Sequence, residues 1–209
     1  MILILVTISK VGIFNLWLKN ISHLLLFSFI MYNFRALEQL FFNILIQPVS
    51  TSSQIKTTAH LAHKIWNQHY VDIIGQSQVD YMLEKFQDFE AISNQIENGY
   101  EYFIMYYQDK PSGYLALVPN LKDQKMMISK IYVDADFRGL GLGSQLLEFT
   151  IQKAKNKALK YIWLTVNRNN SKSIKWYENH GFEIKEELKI DIGNGFLMDD
   201  YRMEMTLIY

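Results

Sequence analysis

Cysteine is absent from the 209 residues, and the 21 lysines and arginines are balanced by 21 aspartates and glutamates. Without cysteine there is no thiol nucleophile, no disulfide framework and no thiolate set for most zinc sites, and a reducing cytoplasm is a compatible location. A net charge of zero leaves no long-range field to gather polyanions, so nucleic acid is not an expected partner. Long apolar runs are missing too. A spanning helix wants about 20 apolar residues, whereas the longest uncharged run near the start, Asn20 to Phe34, has 15 and includes His23. A secretory signal would want a basic start and a small-residue cleavage site, and neither is present. Repeats and low-complexity linkers are absent from residues 41–209.

Residues 1–34 carry only two charges, Lys10 and Lys19, and residues 1–40 read as a hydrophobic N-terminal extension. Three explanations stay open for it: a reading frame extended upstream of a start such as Met31, a marginal membrane anchor, or one extra packed helix. Residues 41–209 are long enough for one ordinary domain with a real core.

Phe41 to Val49 reads as a strand, followed by a Ser50-Thr51-Ser52-Ser53 capping cluster. Ile55, Ala59, Ala62, Ile65, Trp66 and Tyr70 then recur at helical spacing. A second helix is expected from Ser77, with Asp80 three residues on, through Phe86, and a third from Ala91 to Asn98. His60, His63 and His69 share the first helix. They read as surface or half-buried polar residues, not as a metal set, since no neighbouring ligands accompany them.

From Tyr100 the period becomes two. Three β runs follow, Tyr100–Tyr107, Gly113–Pro119 and Lys125–Val133, with turns at Asp109 to Ser112 and Asn120 to Gln124, and together they predict an antiparallel meander. A helix then presents Leu146, Leu147, Thr150, Ile151, Ala154 and Ala158 on one face. Tyr161 to Val166 is a buried strand pairing in parallel with the strand before that helix. Ser171 to His180 is a helix closed by Gly181, and Phe182–Asp191 and Phe196–Leu207 form a hairpin about Asn194-Gly195. The fold class is α/β (α+β): a mixed, mostly antiparallel central sheet flanked by helices.

Lys130 to Leu147 organises the chain: a strand, a turn, three alternating glycines at 139, 141 and 143, and the start of a helix. Bare N–H groups at a helix N-terminus make an anion site, which points to a phosphate-bearing ligand. The dinucleotide pattern fails, because its third glycine would fall at Ser144, and the triphosphatase loop lacks its Lys-Ser/Thr. A tight turn without any ligand is the plain alternative. What fits is Arg-x-x-Gly-x-Gly across Arg138, Gly141 and Gly143, preceded by Ile131-Tyr132-Val133 and followed by Asn170 through Phe182.

In these residues the chain resembles the GNAT superfamily of acetyl-CoA-dependent N-acetyltransferases, most sharply from Ile128 to Phe182. The resemblance implies acetyl-CoA as co-substrate, no metal, and direct transfer of its acetyl group to a primary amine; without a thiol, acyl transfer is either direct or uses another nucleophile. It implies a V-shaped splay between the Ile131–Val133 strand and its parallel neighbour at Tyr161–Val166. The segment Ile131, Tyr132 and Val133 would meet the pantetheine arm, with Val133 N–H polarising the thioester carbonyl. Arg138, Gly139, Leu140, Gly141, Leu142, Gly143 and Ser144 would hold the pyrophosphate. Asn170, Ser173 and Tyr177 map onto the following helix, Tyr177 as the acid that protonates the leaving thiolate. Spacing alone leaves Tyr177 open as a core tyrosine and Asn170 as a helix cap.

Many members carry a glutamate on the strand ending at the Val133 position, but Met126-Met127-Ile128-Ser129-Lys130-Ile131 has no carboxylate, so the base is unassigned. Water with backbone carbonyls, or Asp199 or Asp200, could serve. The acceptor side is expected to draw on Trp66, Tyr70, Phe196, Asp199, Asp200 and Tyr201. Paired aspartates suit a cationic small-molecule amine, and the ending resembles that of diamine and polyamine acetyltransferases; solvation of a strand end is the plain alternative. A protein N-terminal or lysine acetyltransferase, or a non-catalytic acetyl-CoA-binding module, are the rival classes. The resemblance further implies a homodimer and a cytoplasmic enzyme, with membrane contact through residues 1–34 left open.

Overall fold

The computed structural model describes residues 44–208. The extension at residues 1–40 and the start of the strand expected at Phe41–Val49 lie outside them. The described chain opens with β1 (Ile44–Pro48) and α1 (Ser52–His69). Thr51 caps α1 through a reciprocal pair: its hydroxyl accepts from Gln54 N at 3.3 Å, and its own N–H donates to Gln54 Oε1 at 3.0 Å. Leu61, Ala62, Ile65 and Trp66 form the buried stripe of α1.

Three shorter helices follow: α2 (Val71–Ile74), α3 (Gln76–Phe86) and α4 (Phe89–Glu97). Ser77 does not cap α3, contrary to expectation. The helix begins from Gly75, whose φ of 81° turns the chain there, so Ser77 already lies in its first turn. The next helix starts two residues earlier than expected, because Asp88 accepts from Ala91 N at 2.7 Å and caps it.

The meander is present as β2 (Glu101–Tyr107), β3 (Lys110–Asn120) and β4 (Lys125–Val133). Its first turn is tighter than predicted. Gln108 and Asp109 take φ of 49° and 61°, a two-residue hairpin that lets β3 start at Lys110. Then come α5 (Leu142–Asn156), β5 (Tyr161–Asn167), α6 (Ser171–Asn179), β6 (Glu183–Gly193) and β7 (Phe196–Thr206). Ala158 falls outside the buried face predicted for α5: the helix has ended, and Ala158 is an exposed residue at φ 54°. Asn194 and Gly195, at 56° and 79°, close the last hairpin.

One seven-stranded sheet runs in the order β1-β2-β3-β4-β5-β7-β6. From β2 onward every pairing in it is antiparallel except β4 with β5. Ile65 of α1, Ile92 of α4, Ile104 of β2 and Tyr114 of β3 meet in one core at 1% exposure or less. Each such aliphatic side chain stabilises the fold by about 1.5–3 kcal/mol.

Two irregularities shape the centre of the sheet. The parallel β4–β5 ladder covers only Lys125–Met127 against Tyr161–Trp163, so the strands part beyond that point. Against β3, the register of β4 slips between Ala116 and Leu117, which leaves Ser129 bulged between Ile128 and Lys130.

Candidate functional site

Where β4 and β5 part, the edge of β4 loses its partner. Asp134 N–H donates to Ser112 O at 2.9 Å, and a Cβ added at Gly113 would stand 2.6 Å from Tyr132 O. Tyr132 and Asp134 thus turn their backbone groups toward β3. Alternation along a strand turns those of Ile131 and Val133 the other way, into the gap. Gly113 is a residue that sequence reasoning passed over: only a glycine lets β3 approach β4 this closely. Arg138 reaches back into the same gap, its Nε donating to Val133 O at 3.3 Å.

The gap opens into a cavity of about 520 Å³ lined by Ile128–Val133 of β4, Leu164–Val166 of β5, the glycine loop and the inner face of α6. Gly139 and Gly141 take φ of 81° and 75°, conformations that side chains resist, and Gly141 is the residue from which α5 starts. The first N–H groups of α5 have no acceptor within their helix. Arg138 and Lys172 add positive charge to the same wall. This cradle of bare amides and cations beside an unpaired strand edge fits a phosphate-bearing thioester. Leu140 takes no part in the lining; its side chain is half exposed at the loop tip.

Across the cavity, α6 is fastened by Asn170, whose Oδ1 accepts from Ser173 N at 3.4 Å. Asn170 is therefore a helix cap as well as a lining residue. Its Nδ2 donates to His69 Nε2 at 3.1 Å, which requires a neutral imidazole. Burial lowers the His69 pKa, and the charges of Arg138 and Lys172 add to that. His69 sits edge-on to Tyr70, ring centroids 4.8 Å apart, and lines the cavity, while His60 and His63 are exposed. Among the described residues no cluster of three or more metal-ligating side chains occurs.

Tyr177 lines the cavity at 8% exposure, and Ser173 lies one turn before it. Burial raises the phenols of Tyr70, Tyr132 and Tyr177 above their ordinary value, so all three are protonated at neutral pH.

A second cavity, of about 410 Å³, shares Tyr70, Ser129, Lys130, Tyr132, Thr165 and Val166 with the first. The two meet at the splay. Trp66, Tyr70 and Tyr132 form an aromatic wall with centroids 4.5–6.2 Å apart, and Trp66 Nε1 donates to Tyr114 Oη at 3.2 Å. Met82, Met127 and Met198 complete an apolar lining.

The adjacent aspartates of β7 separate. Asp200 lines this second cavity at 6% exposure; burial raises its pKa to about 6, opposed by a hydrogen bond donated by the Thr165 hydroxyl. Asp199 instead pairs with Arg168 Nε at 2.6 Å and stands 3.8 Å from Lys189 Nζ. Tyr201 lies under the Arg168 guanidinium, 5.2 Å from its ring centre, and Phe196 packs on Tyr81 at 5.3 Å. Neither Asp199, Tyr201 nor Phe196 lines a cavity with Asp200. Lys130, Gln95 and Thr165, which the sequence did not single out for this role, do.

An open strand edge, an amide cradle and a tyrosine-bearing helix around one parallel splay have the chemistry to receive an activated acyl thioester. Comparison with known proteins agrees. Residues 62–182, more than half of the chain, match the family model described as Acetyltransferase (GNAT) family, and the chain belongs to that family. It is 32% identical over 106 residues to an uncharacterised N-acetyltransferase of Methanocaldococcus jannaschii, covering 48% of this chain and 46% of that protein. It is 31% identical over 68 residues to the spermine/spermidine N(1)-acetyltransferase of Bacillus subtilis, covering 32% and 45%. The chain thus spans about half the length of the curated relatives it matches. Among solved structures, the PaiA N-acetyltransferase of Thermoplasma acidophilum in complex with coenzyme A superposes with a TM-score of 0.66 at 19% identity, over 78% of this chain and 99% of that one, and this likeness shows the fold.

Proposed function

We propose that residues 41–209 form an N-acetyltransferase domain that moves the acetyl group of acetyl-CoA directly to a primary amine of a small molecule, with both substrates held at once. The observation that carries this reading is the meeting of two cavities at the β4–β5 splay, one with an anion cradle and one with a buried carboxylate. In the reaction the amine nitrogen bonds to the thioester carbonyl carbon, the carbon–sulfur bond breaks, and the acetyl group ends as an amide.

Each residue then has a task. Gly139, Gly141, Leu142, Gly143 and Ser144 offer amides to the pyrophosphate, and Arg138 shares that charge. Ile131 and Val133 pair with the pantetheine arm as a missing strand would, and Val133 N–H faces the oxygen where negative charge grows. Asp200 takes the proton that an ammonium must lose before it can attack. Tyr177, kept protonated by burial, donates to the departing sulfur, and the second proton shed by the acylated nitrogen restores the phenol. A thiolate formed in the same dry site is raised in pKa by the same desolvation, which keeps this transfer feasible. Trp66, Tyr70 and Tyr132 pack the body of the acceptor.

The test is acetyl-CoA-dependent thiol release by the full chain against a panel of amines, with Tyr177→Phe as the paired variant. A positioned acid contributes about 10²–10⁴-fold, so the variant should lose roughly a hundredfold in kcat while acetyl-CoA binding persists. An unchanged rate removes Tyr177 from its role. Failure to bind acetyl-CoA at all overturns the reading.

A further inference from the structure

Lys130 stands in the apolar run Met126 to Ile131 and is 6% exposed. Tyr102, Ala116 and Lys130 lie in one row across β2, β3 and β4. The small Ala116 leaves room for the lysine stem to lie back over β3. Its Nζ ends 5.4 Å from the Tyr102 ring centre and 5.6 Å from that of Tyr100, donating to Gln95 Oε1 at 2.7 Å and Ser129 Oγ at 3.3 Å. Both acceptors are neutral. Among the described residues no carboxylate lies within ion-pair distance of this ammonium, and burial lowers its pKa to about 7. A buried cation without a counter-charge is costly, and an anionic ligand group would supply the missing charge.

Lys130, Gln95 and Tyr100 line the same cavity as Asp200. The lysine head lies against Tyr102 of β2, Tyr100 and Gln95. Asp200 lies on β7, beyond β4 and β5 in the sheet. With strands about 4.8 Å apart, the two charges stand on the order of 10–15 Å from each other. Aromatic and thioether groups, among them Trp66, Tyr132, Met127 and Met198, line the same cavity.

Resting on the reading of this cavity as the acceptor site, we propose that the acceptor is an amine bearing a carboxylate at the far end of an apolar body, the amine meeting Asp200 and the carboxylate meeting Lys130. A polyamine would instead bring a second cation against Lys130, and an α-amino acid would place its two charges too close together to reach both.

Four acceptors of matched length separate these cases: 8-aminooctanoate, octylamine, 1,8-diaminooctane and 2-aminooctanoate, each assayed by thiol release with the full chain. The expected kcat/KM for 8-aminooctanoate is at least tenfold above octylamine, with 1,8-diaminooctane below octylamine and 2-aminooctanoate no better than it. Lys130→Gln should bring the ratio of 8-aminooctanoate to octylamine toward one, and Lys130→Arg should keep it. Should Lys130→Gln not fold, the wild-type ranking still decides, and the preference should fade above about pH 7 as Lys130 loses its proton. Turnover of octylamine with no gain for 8-aminooctanoate, or a preference for the diamine, overturns this inference and leaves acetyl transfer standing. No turnover of 8-aminooctanoate while other amines are acetylated also overturns this inference alone, whereas failure to bind acetyl-CoA overturns both.

Discussion

Asp200→Asn removes the only carboxylate among the described residues that line the second cavity, the proposed acceptor site. With its pKa raised to about 6, the carboxylate is roughly nine-tenths ionised at pH 7 and one-tenth at pH 5. Only the ionised form accepts a proton, so kcat/KM for the amine should fall about tenfold between pH 7 and pH 5, with unit slope below 6. Asparagine keeps the shape and cannot take the proton, and loss of a general base costs on the order of 10²–10⁴-fold. At pH 7 the variant should therefore be about a hundredfold slower, and its acid limb should vanish. Stability should move the opposite way. A carboxyl bound more tightly to its proton when folded contributes stability at low pH that is lost as pH rises through about 6. Each tenfold change in proton affinity is worth about 1.4 kcal/mol. A rise from 3.8 to about 6 therefore makes the asparagine variant more stable at pH 7 by up to about 3 kcal/mol. The assay is continuous thiol release at saturating acetyl-CoA from pH 5 to 8, with urea denaturation at pH 7 alongside. An acid limb near pH 6 that survives in the variant would refute the assignment.

Lys130→Met tests the buried lysine through stability. Burial holds its folded pKa near 7 against 10.5, so between these values the unfolded chain binds more protons and stability climbs with pH. At pH 6 the methionine variant should be more stable by up to about 5 kcal/mol, a gain that should shrink toward zero by pH 10; urea midpoints that differ equally at both pH values would contradict it. Gly141→Ala and Gly75→Ala both place a side chain at positive φ, near 75° and 81°, and each should cost about 1–2 kcal/mol. Only the first should weaken acetyl-CoA binding, by tenfold or more in calorimetry, because only it lies in the amide cradle; equal affinities in both variants would remove the cradle from its role.

Much of the fold was legible because its signals are short-range. The two-residue period of β2 to β4, the helical stripe of α1 and the Asn194-Gly195 turn each lie within a few residues of one another. Errors fell where a local competitor decided the outcome: Gly75 took the start of α3 from Ser77, Asp88 extended α4, and Ala158 turned left-handed past the end of α5. The glycine loop and the cap at Asn170 were readable for the same reason, since a strand, a loop and a helix start are contiguous in the chain.

The acceptor side was not readable in that way. Asp199 and Asp200 are adjacent and alike, and which one faces the cavity depends on the register of β7 against β5 and β6, including slips near Ile184 and Asp191. Lys130 reads as a polar interruption of a strand until Ala116, from a neighbouring strand, lets it fold back beside Gln95 and Tyr102. The sequence by itself determined the elements, the phosphate-type loop and the family resemblance, because contiguous residues carry those signals. Only the tertiary structure decided which charges share a cavity, because strand register and side-chain direction are set by partners far along the chain, such as Asn170 for His69, 101 residues away, through pairings that local sequence does not encode.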